Sequence, residues 1–153
     1  ALLSHVVDYN QARPAQNADD LDSFSNMLTN LRRIARPGSA IFLISDFYGA
    51  DHDVAREQMF QLAQHTEITA IACSDPLEGE LPRGGHYAVT DGDLRSELHT
   101  ADKALRSKYH LEFEQRQNNL SRDFQRLGIP ILRAATDIAP FALLRQYYGD
   151  PRR

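Results

Sequence analysis

Residues 40–46 read AIFLISD, and the same pattern returns twice, as ITAIACSD at 68–75 and IPILRAATD at 129–137. Each is a short continuous apolar run that stops at Ser or Thr followed by Asp. A run of this kind suits a strand covered on both faces, as in a parallel sheet. Between the first two runs lies DHDVAREQMFQLAQH (51–65), where Val54, Met59, Leu62 and Ala63 form an inward side and Asp51 or Asp53 supplies the N-cap. Strand, helix and strand joined by short loops make a βαβ unit with a right-handed crossover.

The periodicity extends outward from this unit. Residues 19–36 (DDLDSFSNMLTNLRRIAR) carry Leu21, Phe24, Leu28 and Leu31 at spacings of three and four. Acidic residues open the segment, arginines close it and Pro37-Gly38 stops it, so it reads as a helix. Residues 77–100 are polar and turn-rich. HYAVT and LRSEL flank Asp91-Gly92, which predicts a tight hairpin near 86–98 as an excursion off the main sheet. Residues 101–127 form one long helix with Thr100 as N-cap and Gly128 as stop. Leu105, Tyr109, Phe113, Leu120, Phe124 and Leu127 share its inner side. Asp102 with Arg106, and Glu112 with Arg116, are expected as supporting ion pairs. A short helix over 139–148 closes the pattern. The expected fold is therefore α/β: an open, mostly parallel, Rossmann-like sheet sandwiched by helices, in one domain over 1–153.

Composition agrees with a folded domain. The chain has 153 residues, 42% hydrophobic and 25% charged, enough to bury one core. Its net charge of −4, without a basic block, argues against nucleic acid as partner. Cys73 is the only cysteine, so an internal disulfide is excluded, and it reads as a small core residue rather than a nucleophile. No apolar run approaches the ~20 residues needed to span a bilayer, and no signal peptide is visible. The expectation is a cytoplasmic segment without membrane contact. The opening ALLSHVVDYN lacks Met, and the chain is expected to be part of a longer protein whose N-terminal region, with any anchor, precedes it.

In open α/β sheets ligands sit at the carboxyl ends of the strands. Asp46, Asp75 and Asp137 would all stand on that edge. Asp137 precedes a helix with Pro140 in its first turn and reads as a cap; Asp75 before Pro76 reads as a cap or turn. Asp46 is separated from its helix by Phe47, Tyr48, Gly49 and Ala50, too early to cap it. Two readings stand for it: a structural residue, or a hard-cation ligand at the end of a buried central strand, with Ser45 beside it. Other motifs are absent. The six histidines show no metal-ligand spacing; no GxGxxG, Walker A or GxSxG occurs; Gly84-Gly85 reads as a turn; and Tyr147-Tyr148 read as packing.

The order AIFLISDF, helix, SDPLEGELPRGGHYAVTDGD, long helix resembles the bacterial family called domain of unknown function 58. The most specific stretch is Asp75-Pro76-Leu77-Glu78 with Glu80-Leu81-Pro82 and Gly85; Ser45-Asp46-Phe47 and Thr136-Asp137 also match. The resemblance implies a von Willebrand factor A-type domain, whose sheet edge can bind a divalent ion through a DxSxS loop, a Thr and a strand-end Asp. Only the last maps here, onto Asp46. No DxSxS occurs, and Asn17, Asp20 or Ser23 stands where the Thr would be sought. The resemblance thus implies the C-terminal portion of such a domain, with a remnant of the metal ion-dependent adhesion site. It also implies action beside a MoxR-type AAA+ ATPase as an adaptor.

The expected function is a non-enzymatic protein–protein interaction module in which a partner carboxylate completes a Mg²⁺ shell begun by Asp46 in the full-length protein. The rival is a Mg²⁺-dependent phosphatase or nuclease using Asp46, Asp75 and Asp137. A phospho-accepting receiver ranks last, because such a site wants a Lys at the end of a neighbouring strand and the chain offers Arg133 inside the strand instead. Missing strands would expose a sheet edge, so self-association through that edge is expected.

Overall fold

A computed structural model gives the three-dimensional arrangement and describes residues 17–82, 84–90 and 95–149. The expected Asp91-Gly92 turn and the side chains of Asn17, Asp20, Leu21 and Ser23 lie outside the description. In chain order the elements are α1 (Asn17–Ile34), β1 (Ala40–Ser45), α2 (Asp53–Ala63), β2 (Glu67–Ser74), α3 (Pro76–Gly79), β3 (His86–Thr90), β4 (Arg95–His99), α4 (Lys103–Arg126), β5 (Ile131–Ala135) and α5 (Pro140–Tyr148). The expected α/β order is present. The four-residue α3 is an addition, too short for any periodic signal.

β1, β2 and β5 form a parallel sheet in the order β1-β2-β5; β3 and β4 pair antiparallel as a separate hairpin. Ser45 pairs with Ala72, and Ser74 with Ala135. Because side chains alternate along a strand, this register sorts the sheet into two faces. One carries Ile41, Leu43, Ile68, Ala70, Ala72 and Ile131. It packs under α1, α2 and α4 in a core that includes Phe24, Leu28, Ala55, Met59, Leu62 and Phe124. The small Ala70 and Ala72 let the helices approach the sheet closely. Arg133 also points to this side and donates from one guanidinium nitrogen to Asn118 Oδ1 and Ser121 Oγ of α4, both at 3.1 Å.

The other face carries Phe42, Ile44, Thr69, Ile71, Cys73 and Leu132. Only α5 covers it. Tyr148 donates to Thr69 Oγ1 at 3.2 Å and meets the Phe42 ring edge-on at 6.3 Å. Leu132 is buried, whereas Phe42 is 54% and Ile44 66% exposed. This corrects the expectation of three strands buried on both faces. Among the described strands β2 is the central one, and β1 pairs there with β2 alone, so Asp46 ends a strand other than the central one. A continuous apolar run does not separate these cases, because side-chain type alone does not say whether a helix covers the second face. Cys73 is half-buried on this face rather than sealed in the core.

Several local expectations are also corrected. His52, not Asp51 or Asp53, is the N-cap of α2 and makes no side-chain capping bond. Val54 is exposed and Ala55 takes the inward position, since the helix begins two residues later than the pattern suggests. Asp102 caps α4 through the amides of Ala104 and Leu105, at 2.8 and 3.4 Å. Thr100 is instead fully buried, its hydroxyl bonded to both the N–H and the C=O of Gly85. Arg106 turns to the Thr100 carbonyl, Glu112 pairs with Lys108 at 3.9 Å, and Arg116 lies over the Phe113 ring. Asp137 is exposed and Ala139 is the N-cap of α5, again without a side-chain bond. Gly128 ends α4 at φ 70°, as expected of a helix stop.

Candidate functional site

The carboxyl edge of the sheet is built from two local devices. The first follows β1. Phe47 has φ 57°, a left-handed conformation that costs a bulky residue roughly 1–3 kcal/mol. Two sets of contacts hold it there. The ring is buried, edge-on to Phe124 at 4.9 Å and to Phe24 at 5.9 Å. The backbone is pinned by side chains of the preceding residues: Phe47 N–H donates to Ser45 Oγ at 3.0 Å, and Tyr48 N–H to Asp46 Oδ1 at 3.2 Å. Ser45 also donates to Asp46 Oδ1 at 3.3 Å. The left-handed turn reverses the chain so that Phe47 enters the core while its neighbour Asp46 remains exposed. Gly49, at φ 79°, completes the reversal before α2.

The second device follows β2. Asp75 Oδ1 accepts the N–H of Leu77 at 2.8 Å, and Glu78 Oε1 accepts the N–H of Asp75 at 3.2 Å, a reciprocal capping box. Asp75 Oδ2 accepts the hydroxyl of Thr136 at 3.0 Å, and Thr136 N–H donates to Ser74 O at 3.0 Å. Asp75 is therefore a cap and a clamp between the ends of β2 and β5. The sequence points to Thr136 only through the Thr136-Asp137 pattern, which carries no sign of its bond to Asp75.

The strand-end aspartates do not converge. The register places Asp46 one step beyond the Ser45–Ala72 pair, level with Cys73, so Asp75 lies two residues further along the strand direction, about 6–7 Å. Both Asp75 oxygens already serve the cap and the clamp, and Asp137 stands beyond Thr136 in the turn toward α5. Among the described residues no three His, Cys, Asp or Glu side chains are placed to hold a metal ion. Asp46 and Ser45 together offer one carboxylate and one hydroxyl, well short of the six or more oxygens a hard cation takes. These residues do not fit a complete Mg²⁺ site, and a three-aspartate hydrolytic centre has no ligand set here. A cavity of about 330 Å³ lined by Arg32, Ala35, Pro37, Phe60, Gln61 and His65 opens at the opposite, amino end of the strands.

Fold and strand ends together define an α/β open-sheet domain with an acidic elbow at the carboxyl end of β1. The family model described as "Protein of unknown function DUF58" matches residues 1–119, and the chain belongs to this family. No curated protein and no solved structure matches the chain. No helix among the described residues is long and apolar enough to cross a membrane.

Proposed function

We propose that the chain is a non-enzymatic interaction module that offers the carboxyl edge of its sheet to a protein partner. The supporting observation is the elbow at Asp46-Phe47. Backbone strain is maintained there by a fully packed ring, and its result is a fixed, exposed carboxylate beside the Ser45 hydroxyl. Strain retained next to an exposed carboxylate is a mark of a positioned group. A three-carboxylate cluster of the kind a metal-dependent hydrolase uses is not formed by Asp46, Asp75 and Asp137.

The von Willebrand factor A-like resemblance supplies the finer reading. The partner is a MoxR-type AAA+ ATPase, and the chain acts as its adaptor. A Mg²⁺ at the interface would take Asp46 and Ser45 from this chain and its remaining oxygens from the partner and from outside the described residues. The test is binding of full-length protein to that ATPase, with and without Mg²⁺, for the native protein and for Asp46→Ala. A loss of affinity confined to the Mg²⁺ condition is the expected result. Equal binding by Asp46→Ala in both conditions would remove the ion-mediated contact.

A further inference from the structure

We propose that the cavity between the carboxyl-terminal ends of α1 and α2, about 330 Å³, binds a small monocarboxylic acid with an apolar body, its carboxylate resting on Arg32. The walls come from two segments, 32–37 and 60–66, at the opposite end of the strands from Asp46. The volume falls at the small end of the roughly 300–1,000 Å³ of ligand sites.

Arg32 is already fixed across the gap between the two helices. One terminal nitrogen donates to Gln58 Oε1 at 2.6 Å and the other to Gln61 Oε1 at 2.8 Å. Gln58 and Gln61, three apart on α2, share one face of that helix. Gln61 in turn donates its amide nitrogen to Glu57, which keeps its oxygen toward the guanidinium. Both partners of the cation are neutral, and no carboxylate among the described residues pairs with it. A guanidinium carries five N–H donors; two are used here, which leaves three for a ligand. Its ordering is complete before a ligand arrives, which removes one cost of binding.

The rim offers donors rather than acceptors. Helix-end carbonyls are already bonded: Leu62 O accepts the Thr66 hydroxyl at 2.7 Å, and His65 O accepts the Gly38 N–H at 2.7 Å. The imidazole of His65 and the amide of Gln64 stand exposed at the rim and make no hydrogen bond among the described residues. Ala35, Pro37, Leu62 and the half-exposed Phe60 ring give a hydrocarbon wall. The wider field is nearly balanced. Arg32, Arg33 and Arg36 supply positive charge, and Glu57, Glu67 and about half a negative charge at each helix end offset it. Long-range attraction therefore does not hold a bare anion. The direct contact with Arg32 and the hydrocarbon wall must act together, which selects an apolar acid over phosphate or acetate.

Titration of the whole chain with benzoate at constant ionic strength, followed by amide chemical shifts, tests this, with benzamide and acetate titrated beside it. Benzoate should saturate with a dissociation constant on the order of 1 mM and move the signals of residues 32–37 and 60–66. Benzamide, which lacks the charge, and acetate, which lacks the body, should each bind about tenfold more weakly or less well still. Arg32→Gln should weaken benzoate about tenfold or more, and Phe60→Ala about threefold or more. Both positions are exposed, so circular dichroism and melting should be unchanged. Three outcomes would overturn the proposal: benzoate leaves these signals unmoved; benzamide or acetate binds as well as benzoate; or folded Arg32→Gln binds benzoate as the native protein does. The comparison of the three ligands uses native protein alone and so stands whatever the stability of the variants.

Discussion

At Phe47 two opposing terms meet in one residue. The left-handed backbone is unfavourable for any side chain with a Cβ, by about 1–2 kcal/mol. Burying the ring against Phe24 and Phe124 outweighs this, because removing a core phenylalanine costs about 3–5 kcal/mol. Phe47→Ala loses the packing and keeps the backbone penalty. Phe47→Gly loses the packing and relieves the penalty. Urea denaturation should therefore rank the proteins Phe, Gly, Ala, with the glycine variant about 1 kcal/mol more stable than the alanine variant, the reverse of the usual order at ordinary backbone angles. An alanine variant at least as stable as the glycine variant would mean that the positive φ is not held in solution. Asp46→Ala removes the exposed acceptor of the Tyr48 amide at 3.2 Å and of the Ser45 hydroxyl at 3.3 Å. Its unfolding free energy should stay within about 1 kcal/mol of native, which makes it a clean probe of partner binding.

The elements differ in how their ends are secured, and the three aspartates singled out from the sequence separate accordingly. Asp75 accepts the Leu77 amide and the Thr136 hydroxyl. Asp75→Ala should destabilise the domain by about 1–2 kcal/mol. Asp102, the N-cap of α4, should show a loss of about 0.5–2 kcal/mol on Asp102→Ala. Asp137 caps nothing, and Asp137→Ala should be neutral within about 0.5 kcal/mol. The same denaturation experiment reads all three. A large effect at Asp137 alongside a neutral Asp75 would reverse the assignment of caps. Thr100 shows the limit of cap prediction. The sequence offers its hydroxyl to a helix starting at residue 101, but the helix starts at Lys103 and the backbone of Gly85 takes the hydroxyl up in the interior. Thr100→Val would leave the Gly85 N–H without that acceptor, at about 1–3 kcal/mol.

At the scale of the whole molecule, the sheet is covered unevenly. Three helices seal one face and α5 shields part of the other. Local opening should follow this asymmetry, since protection tracks burial and hydrogen bonding on both sides of a strand. Amide exchange should be slowest in β2, intermediate in β5 and β1, and fastest in the β3–β4 hairpin, a separate two-stranded sheet among the described residues. Equal protection of β1 and β2 would contradict this ranking. The ion pair of Arg56 with Asp123, at 2.7 Å, joins α2 to α4 at the surface. It should add no more than about 1 kcal/mol, leaving packing around Phe124 to hold those helices together.

The sequence by itself determined the order of strands and helices, the parallel sheet and the Ser/Thr-Asp pattern at its carboxyl edge. Those features rest on local periodicity, turn residues and short loops, all of which are written within a few residues of where they act. Which strand is central was decided only by the tertiary structure. AIFLIS and ITAIACS are alike in composition, yet among the described residues ITAIACS is flanked by strands on both sides and AIFLIS by β2 alone. The roles of the aspartates were decided there too, because a carboxylate becomes a cap, a clamp or an exposed group according to which amides and hydroxyls are brought to it. The partner of Asp75 is sixty-one residues away at Thr136, and no local pattern carries that distance.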